Sequence, residues 1–175
     1  MPDPDWMVIA LRLGLATLAG LALGLERQWH GHDAGLRTHA LVALSAAMIM
    51  LSAVSMADSL IARGANSDPL RVIQGIAQAI GFIAGGLIFI RGGDVRNMTT
   101  AASLWMAAAI GIAAGAGQVV LMAIALVIAL VVLAALAPIE RRMPRHHPTR
   151  ADGGVEMPNR RGATQMGEGE ELPPP

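Results

Sequence analysis

The chain has 175 residues, enough for one domain, of which 54% are hydrophobic and 15% charged, with a formal net charge of zero. A soluble domain of this size needs more charge to cover its surface, so the apolar blocks suit lipid as their solvent. There is no Cys, and every basic residue other than His is Arg. That excludes disulfides, thiolate metal sites, Cys nucleophiles, Schiff-base chemistry and a P-loop lysine.

About 20 apolar residues in a helix span a bilayer core, and five segments approach that length, near residues 6–25, 39–57, 72–90, 101–116 and 119–137. Backbone groups in lipid must be satisfied within the segment, so these are helices. The expected fold class is all-α: a polytopic membrane protein of five transmembrane helices, in a domain spanning residues 1–142. The first segment is too long, and its leading residues too acidic, for a cleaved signal peptide. Its Arg12 lies about two turns in, where snorkelling to the nearer surface accounts for it.

Between the first two segments lies "ERQWHGHDAGLRTH", a charged stretch flanked on both sides by apolar runs. Glu26 and Arg27 close the first helix in this reading. A glutamate at a helix C-terminus opposes the dipole and calls for a cationic partner, for which Arg37 and Arg91 are the candidates. Gly35 turns the chain, and Thr38 stands near the next helix start. Glu26, His30, His32 and Asp33 also form a weak metal pattern, with no second half elsewhere; no metal or other cofactor is expected.

The third segment carries Gln74 and Gln78 one turn apart, on the face that also holds Arg71, Gly81 and Gly85. Such a polar stripe reads as interhelical hydrogen bonding, or, more sharply, as an ion path. After it, "RGGDVRNMTT" turns the chain at Gly92–Gly93 and adds Asp94 and Arg96, with Thr99 or Thr100 placed to cap the fourth helix. The two charged loops thus read as an ion-pair clasp built from Glu26, Arg27, Arg37, Thr38, Asp94, Thr99 and Thr100, or as a small docking or anion-binding site. In the clasp reading, Arg37→Ala unties the loops.

One helix over 101–137 would be about 55 Å long, far more than one crossing. Gly111, Gly115, Gly117 and Gln118 lie near its middle and predict a tight hairpin. Small residues at four-residue spacing, Gly20 with Gly24, Gly81 with Gly85 and Gly111 with Gly115, predict close helix packing within the chain or across a homodimer. With five crossings, Arg27, Arg37, Arg91, Arg96 and six tail arginines fall on one side, against Arg63 and Arg71 on the other. The positive-inside rule then puts the N-terminus outside and the C-terminus in the cytoplasm. From Met143 onward, Pro, Gly and charge predict a disordered tail over 143–175. Within it, His146–His147 reads as part of a basic region near anionic headgroups, or less simply as a metal pair.

The stretches "LGLERQ", "AGLRTHALVALSAAM" and "AIGFIAGGLIFIRGGDVRNMTTAASLWMAAAIGIAAGAG" resemble the MgtC/SapB family of bacterial membrane proteins, over roughly residues 7–137. The resemblance marks Glu26, Arg27, Gly35, Arg37, Thr38, Gly81, Gly85, Thr99, Thr100 and Trp105 as functional or fold-defining. It implies a multi-pass inner-membrane protein serving growth at low magnesium and stress adaptation. In some members the family role is restraint of the proton-driven ATP synthase, in others acid resistance. Asn97 departs from it, standing where the family has Gly before the Thr-Thr pair. Virulence-associated members also carry a folded cytoplasmic domain where this chain has its Pro- and Gly-rich tail.

Two functions follow as expectations. The first is a non-enzymatic regulator of another membrane protein, or of magnesium and membrane-potential homeostasis. The second is an oligomeric ion channel or transporter, with magnesium the leading ion. No carboxylate lies deep in any segment, which favours the first, since ion-coupled pumps place carboxylates at mid-membrane. No nucleophile–base set is visible, so no enzyme is expected. The expected partners are the lipid bilayer and another membrane protein or a second copy; nucleic acid is not among them.

Overall fold

A computed structural model describes residues 5–65, 68–91 and 94–142, which belong to one compact unit, Met1–Met143. The tail expected to be disordered, with His146–His147, lies outside the described residues. The elements in chain order are α1 (Trp6–Trp29), α2 (Leu36–Ile61), α3 (Leu70–Leu87), β1 (Phe89–Arg91), β2 (Asp94–Arg96), α4 (Met98–Gly115) and α5 (Val119–Arg142). All five helices are long and apolar enough to cross a membrane.

The helix ends follow local chemistry. Asp5 caps α1, its carboxylate accepting from the Met7 N–H at 3.2 Å. The helix continues past the expected end at residue 25, because no breaker intervenes before Gly31, which adopts φ +73°. Gly35 is the N-cap of α2, so Thr38 and His39 fall in its first turn and not before it. The amide oxygen of Gln28 accepts from the Leu36 N–H at 3.3 Å and serves one of the start's orphan donors.

The α4–α5 hairpin forms where the glycines predict it. Gly117 is left-handed at φ +80°. The Gln118 N–H reaches the Ala113 carbonyl at 2.8 Å and the Gly117 N–H reaches Ala114 at 3.0 Å, the bond pair of a Schellman motif. A residue with a side chain would strain this turn, so the apolar run splits here.

The third helix stops at Leu87, short of the expected residue 90, and the chain forms an antiparallel hairpin with Phe89 opposite Arg96 and Ile90 opposite Val95. Ile88, Phe89 and Ile90 favour extended backbone. Apolarity alone cannot tell such a strand from the last turn of a membrane helix.

Helix α4 packs against all four other helices and is the most enclosed, whereas α3 leans on α4 and touches α2 sparsely. The core is built from small residues: Ala16, Ala19, Ala47, Ala107 and Ala114 around Leu23 and Ile110. A methyl group on Gly20 would lie 2.6 Å from the His39 carbonyl oxygen, and one on Gly24 would lie 2.7 Å from the Leu36 Cα. Methyl groups on Gly111 and Gly115 would collide with the Ala43 and Ala47 carbonyls of α2. Four of the six packing glycines thus let α1 and α4 meet the α2 backbone, while Gly81 and Gly85 have nothing within 4 Å among the described residues. Arg12 does more than snorkel: its Nη1 donates to the Gly115 carbonyl at 3.1 Å, a cation held at the C-terminus of α4.

Candidate functional site

At the end of the bundle where α1 meets α2, three hydrogen bonds join segments far apart in sequence. The Arg27 Nη2 donates to Thr100 Oγ1 at 3.0 Å, His39 Nε2 lies 3.0 Å from Ser103 Oγ, and the Asn97 side-chain amide donates to Asp33 Oδ2 at 3.1 Å. Arg27 comes from the last turns of α1, His39 from the first turn of α2, and Thr100 and Ser103 from the first turns of α4. Gly20 and Gly24 let α1 press on α2 directly beneath these side chains, which sets the spacing that the polar groups bridge.

The inner part of this cluster is dry. Arg27 is 3% exposed, His39 0%, Thr100 1% and Ser103 4%. A guanidinium cannot lose its water without replacement partners, so the Thr100 hydroxyl is part of what makes that burial tolerable. The His39 ring is held at both nitrogens, with Nδ1 lying 3.0 Å from the Gly35 carbonyl. A carbonyl only accepts, so Nδ1 carries the proton and, in the neutral ring, Nε2 is left as an acceptor facing the Ser103 hydroxyl. The Ser103 hydroxyl also lies 2.9 Å from the Thr100 carbonyl, so its single proton serves one of two acceptors.

Glu26 stands beside Arg27 without joining this network. Its Oε1 lies 3.1 Å from His30 Nδ1, and its Oε2 is buried without a hydrogen-bond partner among the described residues. Among the described residues the side chain facing Glu26 is that of His30, the C-cap of α1, and Arg37, one of the two cations anticipated for Glu26, makes no ion pair with it. Arg37 and Thr38 point outward and are exposed, as is Thr99. Neither threonine pair member caps α4. The N-cap is Asn97, left-handed at φ +64°, and Thr100 turns inward to Arg27. The side chains of Arg91 and Asp94 lie outside the described residues.

The metal pattern does not assemble. His30 turns back to Glu26, His32 Nδ1 lies 3.2 Å from the Arg27 carbonyl, and Asp33 takes Asn97. No group of three or more metal-ligating side chains occurs among the described residues. Gln74 and Gln78 face outward on α3, and Trp105 is 45% exposed on α4. Residues that sequence reasoning passed over are Asp33 in its structural role, His39 and Ser103; Asn97 was singled out for its backbone position but not for its tie to Asp33. The available signal for His39 and Ser103 was helical phase, since each lies on the same face as the packed alanines of its helix.

This chain matches the family model described as "MgtC family" over residues 13–142. An uncharacterized Synechocystis protein, slr0014, is 37% identical over 145 residues, 81% of this chain and 59% of that protein. A protein of Escherichia coli K12 named "Putative magnesium transporter YhiD" is 40% identical over 109 residues, 62% of this chain and 51% of its own length. Salmonella typhimurium "Protein MgtC" is 42% identical over 108 residues, 62% of this chain and 43% of that protein. The chain thus spans about half the length of the curated relatives it matches. No solved structure matches.

Proposed function

The chain belongs to the MgtC family, and from that premise we propose that it is a non-enzymatic regulator in the bacterial inner membrane. It acts by packing against another membrane protein and so tunes magnesium and membrane-potential homeostasis. The observation that carries this reading is where the polar groups sit. Between α1, α2 and α4 the bundle is filled by Ala, Gly and Leu down to backbone contact, and its buried polar ties gather at one end. A conduction route needs polar groups along its length, whereas a buried, hydrogen-bonded end with exposed Arg37, Thr38 and Thr99 beside it suits docking. The arginine bias supports an orientation with the clasp end and the C-terminus in the cytoplasm and the N-terminus outside.

The second reading, an oligomeric ion transporter, draws on the outward-facing Gln74 and Gln78 of α3 and on the printed name of the Escherichia coli relative. Magnesium flux into liposomes holding the purified, folded protein separates the two. The regulator reading expects no flux above empty liposomes. Flux that is lost in Gln78→Leu would replace it with a transporter centred on α3.

A further inference from the structure

Helix α3 has two faces of opposite character. Ile76, Ile80 and Ala84 are buried on the side toward the bundle. At 100° per residue, Arg71, Gln74, Gln78, Gly81 and Gly85 fall on the opposite side. Each of these is exposed, and Phe82 at their edge is 85% exposed. Gln78 lies about 12 Å along the axis from Leu70, close to mid-membrane. Among the described residues, neither amide has a hydrogen-bond partner.

Hydrocarbon offers these amides nothing. Each has two N–H donors and a carbonyl acceptor, and water is absent at that depth. The glycines carry the same message from packing. Gly20, Gly24, Gly111 and Gly115 are each filled by a neighbouring backbone, but Gly81 and Gly85 have nothing within 4 Å among the described residues. We propose that this face of α3 is the interface with a second copy of the chain, paired through Gln78 and closed at Gly81 and Gly85.

Self-complementarity selects the second copy. Two copies inserted with the same topology present α3 in parallel, so a twofold axis along the membrane normal brings each residue opposite its own counterpart. An amide is both donor and acceptor, so Gln78 pairs with Gln78 of the other copy, which a purely acidic or purely basic side chain could not do. The glycines one and two turns further on let the two backbones approach at the same crossing. Glycine-mediated helix pairs cross at about −40°, so the ends diverge, and Arg71 of each copy is carried away from its counterpart toward water. The interface stands whether the protein regulates a partner or conducts an ion.

The chain has no native Cys, so single-cysteine cross-linking in intact membranes reports directly. Gln74→Cys leaves Gln78 in place, and Val127→Cys marks the exposed face of α5 as a control. With a short thiol–thiol linker, Gln74→Cys is expected to yield a product of twice 18.2 kDa, and Val127→Cys only monomer. Adding Gln78→Leu to Gln74→Cys should weaken the dimer about 3- to 30-fold, the range for an interhelical hydrogen bond in a membrane. Circular dichroism of the purified variants checks that the helices persist. Monomer alone from Gln74→Cys, a product of any other mass, or a dimer indifferent to Gln78→Leu would each overturn the proposal.

Discussion

Thr100→Val tests the clasp at its centre. Valine keeps the shape of threonine but removes the hydroxyl that accepts from Arg27 at 3.0 Å. With Arg27 3% exposed and Thr100 1% exposed, no water can take the vacated place without a local opening. A hydrogen bond to a charged group contributes about 1.5–3 kcal/mol, so Thr100→Val should cost about that much. Arg27→Met removes the charge and leaves the Thr100 hydroxyl short of a donor, at a cost of about 1–3 kcal/mol or more, given the further contacts of Arg27. The double variant removes both ends of the bond. Its cost should therefore fall short of the sum of the single costs by about 1.5–3 kcal/mol. Unfolding by sodium dodecyl sulfate in mixed micelles, followed by circular dichroism, measures all four species. Additive costs to within about 0.5 kcal/mol would show that the two side chains do not hold each other and would refute the clasp.

Other outcomes follow from the same geometry. Arg37→Ala should change stability by less than about 0.5 kcal/mol in the same assay, because Arg37 is exposed and makes no ion pair among the described residues. A large loss would restore the reading that Arg37 ties the loops. His39→Leu removes contacts to Gly35 and Ser103 from a fully buried position and should cost about 2–5 kcal/mol in unfolding. Asn97→Ala places a side chain without local hydrogen bonding at φ +64° and cuts the tie to Asp33, for about 1–3 kcal/mol, while Asn97→Gly should cost less than Ala; equal costs would remove the backbone argument. Gly111→Val should separate α4 from α2 and destabilise by about 3 kcal/mol or more, whereas Gly14→Ala, with open space around it, should be neutral or stabilising in the same titration.

Much of this molecule was written locally. Hydropathy runs located the five helices, since spanning a bilayer is a property of each segment alone. Gly117 marked the α4–α5 turn because a left-handed residue is a local demand. The departure at Asn97 marked a backbone position of the same kind, at φ +64°. Partner choice was not local. Glu26 and Arg27 are adjacent, but the 100° step between them turns Arg27 into the bundle toward Thr100 and leaves Glu26 to His30. The pairs Gly81–Gly85 and Gly111–Gly115 have the same spacing, yet only the second is filled, because α4 lies at the centre of the bundle and α3 at its edge. His39 and Ser103 became a site only when α2 and α4 met, 64 residues apart along the chain. A sequence states which groups are polar and which backbones can approach closely. Which of them face one another is decided by the packing of whole helices, because a helix side chain's partner depends on what lies across the interface and not on its neighbours in the chain.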